Sequence, residues 1–77
     1  MSIHVQLLGY LSRYSPTGEE KFLLELPGEA TVGGLLDRVC FPAGVEKMIL
    51  VNGRQANPST LLADGDEVFI FMPAAGG

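Results

Sequence analysis

Apolar and polar residues alternate through the first strand-length segment, where Ile3, Val5 and Leu7 alternate with His4, Gln6 and Leu8. That period of two predicts a strand over residues 3–8 with one buried face. A polar connection containing Pro16 and Gly18 runs from Ser12 to Glu20. Residues 21–26 then repeat the alternation with Phe22, Leu24 and Leu26, and predict an antiparallel hairpin with the first strand. After Pro27 and Gly28 the period changes. Val32, Leu35, Leu36 and Val39 fall at i, i+3, i+4 and i+7, the spacing of a helix with one apolar face. Thr31 is placed to cap that helix with its hydroxyl. Gly33 and Gly34 weaken the first turn by about 1 kcal/mol each relative to Ala, and Pro42 ends the helix near Cys40.

Residues 47–51 predict a third strand, and Asn52-Gly53 a tight turn that needs positive φ. A short return strand is expected over 54–57. The turn Asp64-Gly65-Asp66 leads to a last strand over 67–72, with Val68, Ile70 and Met72 facing one way. One helix on one face of a mixed four- to five-stranded sheet buries these stripes economically, an α+β arrangement. The domain is expected to span residues 1–72, with residues 73–77 as a flexible tail.

The same alternation that buries Val68 and Ile70 turns Phe69 and Phe71 to the other face, and Met48 and Leu50 do likewise beside Ile49 and Val51. If these strands are neighbours, Met48, Leu50, Phe69 and Phe71, joined by Leu8, form an apolar patch of the kind that marks a docking surface. Two alternatives remain at this point: a face assignment shifted by one residue, or a 12–20 connection folded over the patch. Arg54 and Lys47 are expected near the rim as solvated charges.

Composition narrows the function. Five Lys and Arg against nine Asp and Glu give a net charge of −4, so the clustered cations that nucleic-acid binding needs are missing. A partner with a basic docking surface fits better. Cys40 is the single cysteine, which precludes an internal disulfide and offers no thiol pair for a metal. It is expected to be a small buried hydrophobe at the helix end, and His4 a surface histidine. Asp64 and Asp66 read as turn residues that bond local backbone, not as a metal site. No apolar run approaches the ~20 residues of a membrane span, and the first residues carry no export pattern; a cytoplasmic location is expected.

The sequence finishes Pro73-Ala74-Ala75-Gly76-Gly77. With Gly at roughly 7% of average usage, a Gly-Gly pair at that place arises by chance about 0.5% of the time. The alternative is a chain end without chemistry of its own. The alternating first strand, the Thr31-Val32 helix start, Ile49-Leu50-Val51-Asn52-Gly53, Leu62-Ala63-Asp64-Gly65-Asp66-Glu67-Val68 and the Pro73-to-Gly77 ending together resemble the ubiquitin-like sulfur carriers. That family includes the small subunit of molybdopterin synthase and the sulfur carrier of thiamine thiazole synthesis.

The resemblance implies a β-grasp fold and a chain that acts through its main-chain carboxylate. Gly77 would be adenylated by an enzyme related to the ubiquitin-activating adenylyltransferases and then converted to a thiocarboxylate. ATP would serve the activating partner, and no cofactor would be bound by the carrier. Gly76 would let the tail adopt backbone angles closed to other residues. Ala74 and Ala75 would keep the tail narrow, and Pro73 would stiffen its exit. Met48, Leu50, Phe69 and Phe71, with Pro73, Ala74 and Ala75 of the tail, would contact the partner. The Pro73-led tail and the long first connection look most like the molybdopterin synthase small subunit, which enters a larger catalytic subunit; the helix, cut short at Cys40-Phe41-Pro42, departs from it. Service to thiamine or another thio-cofactor, and conjugation to proteins through Gly77, are the alternatives. The chain holds no phosphate-binding loop of the GxxxxGK[ST] kind and no nucleophile-base pair, so activation is left to a partner.

Overall fold

The structure is a computed structural model that describes residues 1–42 and 44–73. Among the described residues five strands form one sheet: β1 (Ser2–Leu7), β2 (Lys21–Glu25), β3 (Met48–Val51), β4 (Arg54–Gln55) and β5 (Glu67–Phe71). Their spatial order is β2-β1-β5-β3-β4. β1 pairs antiparallel with β2 and parallel with β5, while β3 pairs antiparallel with both β5 and β4. One helix, α1 (Val32–Val39), supplies the buried residues Val32, Leu35 and Val39. They join Ile3, Val5, Leu7, Ile49, Val68 and Ile70 in a single core. This is the β-grasp arrangement that the resemblance implies.

The start of α1 shows how eight residues with two adjacent glycines can form a helix. A helix begins with unpaired N–H groups, and here Val32 N–H donates to the Thr60 carbonyl (2.9 Å) and Gly33 N–H to the Pro58 carbonyl (2.9 Å). Gly34 N–H donates to the Thr31 hydroxyl (3.3 Å), which is the cap expected from the sequence. Gly33 suits this contact, since a Cβ there would crowd the Pro58 carbonyl oxygen at 3.2 Å. The far end closes at Cys40, whose backbone is left-handed (φ 63) and whose N–H donates to the Leu36 carbonyl.

Four expectations are corrected. The first connection is not wholly irregular: Gly9–Tyr14 forms a 3-10 helix that drives Leu11 into the core. Cys40 is exposed, because the left-handed cap turns it away from the face that ends with Val39. β5 stops at Phe71, so Met72 is not a third buried residue of that strand and is 46% exposed. Arg54 pairs with Val51, and it is Gln55 that lies opposite Leu50.

Candidate functional site: the outer sheet face and the end of β5

Register decides which side chains share a face. Across β3 and β5, Met48 lies opposite Phe71 and Leu50 opposite Phe69. Across β1 and β5, Gln6 lies beside Phe69 and His4 beside Glu67. Cross-strand partners share a face, so a row Gln6, Phe69, Leu50, Gln55 crosses four strands, and the pair Phe71 and Met48 forms the next row. Leu8, one residue past β1, donates its N–H to the Ile70 carbonyl (2.9 Å) and continues the pairing toward Phe71. The patch expected from alternation is therefore assembled, with no shift of register.

The connection does not seal it. Phe69 remains 39% exposed, and Met48, Leu50 and Phe71 are half-buried. Leu11 instead packs with the helix-side core, and Tyr14 meets Phe41 edge-to-face with ring centroids 5.7 Å apart. The rim is polar: Gln6, Gln55, His4 and Glu67 flank the apolar pairs. A shallow groove lined by His4, Gln6, Lys21, Leu23, Glu67 and Phe69 continues the face toward β2. Lys47 is turned back on the body, with Nζ donating to the Val45 carbonyl (3.1 Å) and lying 5.1 Å from the Phe41 ring centroid.

A hydrogen-bonded clasp at the far end of β5 holds this face in register, and sequence reasoning read it only as two local turns. Asn52 and Gly53 both have positive φ (52 and 83), and Gly65 has φ 85. The Asn52 amide donates to Asp66 Oδ1 (2.9 Å), and its carbonyl oxygen accepts from Glu67 N–H (3.0 Å). Asp66 Oδ2 accepts from Ala63 N–H (2.8 Å), while Asp64 Oδ1 accepts from Ser2 N–H (2.7 Å). Two turns distant in sequence thus tie the ends of β1, β3 and β5 together. Asn52-Gly53 and Asp64-Gly65-Asp66 were visible as motifs; their mutual bonding was not, because it depends on β3 and β5 being neighbours.

The face reaches the end of β5, from which the chain runs on to Pro73. Phe71 belongs to the patch, Met72 is exposed and Pro73 half-buried. The expected reactive residues Gly76 and Gly77, with Ala74 and Ala75, lie outside the described residues. Among the described residues, no three His, Cys, Asp or Glu side chains are grouped to hold a metal ion, and no helix is long and apolar enough to cross a membrane.

Comparison with known proteins agrees with this architecture. SAMP1 from Haloferax volcanii is 28% identical, with all of both chains covered and a TM-score of 0.78. A Pyrococcus furiosus protein assigned as molybdopterin converting factor subunit 1 is 25% identical over 96% of this chain and 99% of that one, with a TM-score of 0.80. A complex of subunits 1 and 2 of the molybdopterin-converting factor from Helicobacter pylori contains a chain of the same fold, 24% identical, with all of both chains covered and a TM-score of 0.67. No curated protein matches the sequence. The model of the ThiS family matches residues 5–77, and with the β-grasp sheet, the α-helix packed on it and the strand that leads to Pro73, the chain belongs to the ThiS family.

Proposed function

We propose that this protein is a sulfur carrier whose C-terminal glycine, Gly77, is adenylated and then converted to a thiocarboxylate, and that it serves as the small subunit of a molybdopterin synthase. The observation that carries the reading is the position of the apolar face: Met48, Leu50, Phe69 and Phe71 are assembled on β3 and β5, and β5 is the strand that runs directly into Pro73 and the tail. An enzyme that grips this face has Pro73, where the tail begins, two residues beyond Phe71.

The chemistry follows from the poor reactivity of a carboxylate, whose charge repels nucleophiles and whose leaving group would be oxide. Attack of the Gly77 carboxylate on the α-phosphorus of ATP, in a partner of the ubiquitin-activating type, expels pyrophosphate and leaves an acyl-adenylate. A sulfur nucleophile then forms the C–S bond as the bond to AMP breaks. The carrier contributes shape and no catalytic group: its face docks, Pro73 directs the tail, and Ala74, Ala75 and Gly76 pass through a narrow channel. Its second partner is a larger catalytic subunit, and both encounters belong to the cytoplasm. The similarity to the Pyrococcus protein over nearly its whole length supports the molybdopterin assignment, and the Helicobacter complex of subunits 1 and 2 supports such a partner.

Intact-mass measurement of the chain produced with its own adenylating enzyme and a sulfur donor tests the proposal. Replacement of one terminal oxygen by sulfur is expected, and its absence under conditions where the adenylate forms refutes the carrier role. A second reading, conjugation to other proteins through Gly77, is favoured by the full-length similarity to SAMP1, a small archaeal modifier protein. Isopeptide-linked adducts in cell extracts distinguish it.

A further inference from the structure

β2 is an outer strand of the sheet, and its pairing with β1 fixes which backbone groups remain open. Met1 and Leu26 exchange both of their bonds, with the Met1 amine donating to the Leu26 carbonyl (2.7 Å) and Leu26 N–H to the Met1 carbonyl (2.9 Å). Leu7 N–H donates to the Glu20 carbonyl (2.9 Å). Hydrogen-bonding direction alternates along an antiparallel ladder, so residues 20, 22, 24 and 26 face β1. Lys21, Leu23 and Glu25 therefore turn their N–H and C=O groups away from the sheet. Open backbone groups of this kind are a template for another strand.

The side chains on that edge specify which strand. Lys21, Leu23 and Glu25 lie opposite Gln6, His4 and Ser2, all on the outer face. Leu23 is 59% exposed. A two-fold axis through Leu23 would place β2 antiparallel to β2 of a second copy. Leu23 would then face Leu23, and Lys21 of each copy would face Glu25 of the other. Residues 21, 23 and 25 are also the ones with open backbone groups, so the same register satisfies the ladder and both charge pairs. On the helix side Phe22 would face Leu24, both half-buried in one copy. Parallel pairing would set Lys21 against Lys21 and Glu25 against Glu25, which is repulsive. No ion pair among the described residues involves Lys21, whereas Glu25 accepts from the Ser2 hydroxyl and lies 3.9 Å from the Met1 ammonium, still largely in solvent.

From this self-complementarity we infer that the protein forms a two-fold dimer by antiparallel pairing of β2 with β2 of a second copy, making one ten-stranded sheet. The Met48, Leu50, Phe69 and Phe71 face lies beyond β1 and stays open in the dimer. The inference stands independently of the carrier reading. An interface of one five-residue strand is far below the ~1,600 Å² of standard stable complexes, so the dimer is weak and forms at high protein concentration.

Sedimentation equilibrium over roughly a hundredfold concentration range, as suits a weak interface, is expected to show a monomer-dimer equilibrium. Lys21→Glu and Glu25→Lys, each alone, put like charges opposite one another twice, and each is expected to weaken self-association by about tenfold or more. An equimolar mixture of the two variants restores opposite charges at both positions and is expected to associate like the unchanged chain. Amide hydrogen exchange on the unchanged chain gives a readout that needs no variant. Protection of Lys21, Leu23 and Glu25 should rise with concentration, while that of Phe22 and Leu24 should not. A chain that stays monomeric throughout, a dimer that survives both single substitutions, a mixture that fails to recover, or protection unchanged at the three alternate amides overturns the inference.

Discussion

Phe69→Ala is the sharpest perturbation of the candidate docking face. Phe69 is 39% exposed between Gln6 and Leu50. A phenylalanine side chain offers on the order of 200 Å², so about 80 Å² remains for a partner to cover. At about 25 cal/mol per Å² this is about 2 kcal/mol, or roughly a thirtyfold loss in affinity on truncation. Calorimetric titration of the chain into its adenylating enzyme, without ATP, reads that loss directly. Circular dichroism of the variant first establishes that β5 is retained, since Val68 and Ile70 on the other face carry the strand's core contacts. Leu61→Ala serves as the control, because Leu61 is more exposed than Phe69 yet lies off the sheet, bridged to Thr31 at the start of α1. It is expected to leave enzyme affinity within about threefold, a change of under 1 kcal/mol. Equal affinity for Phe69→Ala and the unchanged chain, or equal losses for both variants, would refute the assignment of the patch as the docking surface.

Gly34→Ala is expected to stabilise the fold by about 0.5–1 kcal/mol in thermal unfolding, since its Cβ meets nothing closer than the Thr31 hydroxyl oxygen at 4.0 Å. Gly33→Ala is expected to gain less or lose stability, because its Cβ crowds the Pro58 carbonyl; a larger gain at 33 than at 34 would contradict the geometry. Asn52→Ala removes the two clasp bonds made by the Asn52 side chain and places a Cβ-bearing residue without a compensating side chain in the left-handed region, at a cost of about 1–3 kcal/mol in denaturant unfolding. Deletion of Gly76 and Gly77 is expected to leave the thermal midpoint unchanged while abolishing sulfur transfer. A fall in the midpoint would show that these residues contribute to the fold, and retained transfer would exclude Gly77 as the reacting group.

The sheet and its two faces were legible because period-two patterning survives wherever one face is buried and the other is not. β1 and β5 carry it most clearly, and Val5, Leu7, Val68 and Ile70 are all buried as the alternation requires. The 3-10 helix at Gly9–Tyr14 left no such mark. Its single buried residue, Leu11, has no periodic companion. Cys40 misled for a related reason: composition favours a buried thiol, but burial at a helix end depends on the cap, and a left-handed residue there points off the helical stripe. Arg54 followed from the length of the turn, since a two-residue loop at Asn52-Gly53 pairs Val51 with Arg54 and so puts Gln55, not Arg54, on the patch side.

The position of β5 suits the proposal that so small a body presents a reactive tail. A strand bonded on one side only can peel when its end is pulled, but β5 is bonded on both sides, to β1 through residues 67–70 and to β3 through residues 68–71. Its start is fastened again by the Asn52 and Asp66 clasp. Val68 and Ile70 anchor it from the helix side at full burial. In the proposed encounter, drawing the tail into an enzyme would load the sheet along a strand bonded on both sides, and the residues proposed to contact that enzyme lie on the same strand and its neighbour β3. On that reading recognition and delivery would be coupled through two adjacent strands, while the helix packs Val32, Leu35 and Val39 into the core on the opposite face.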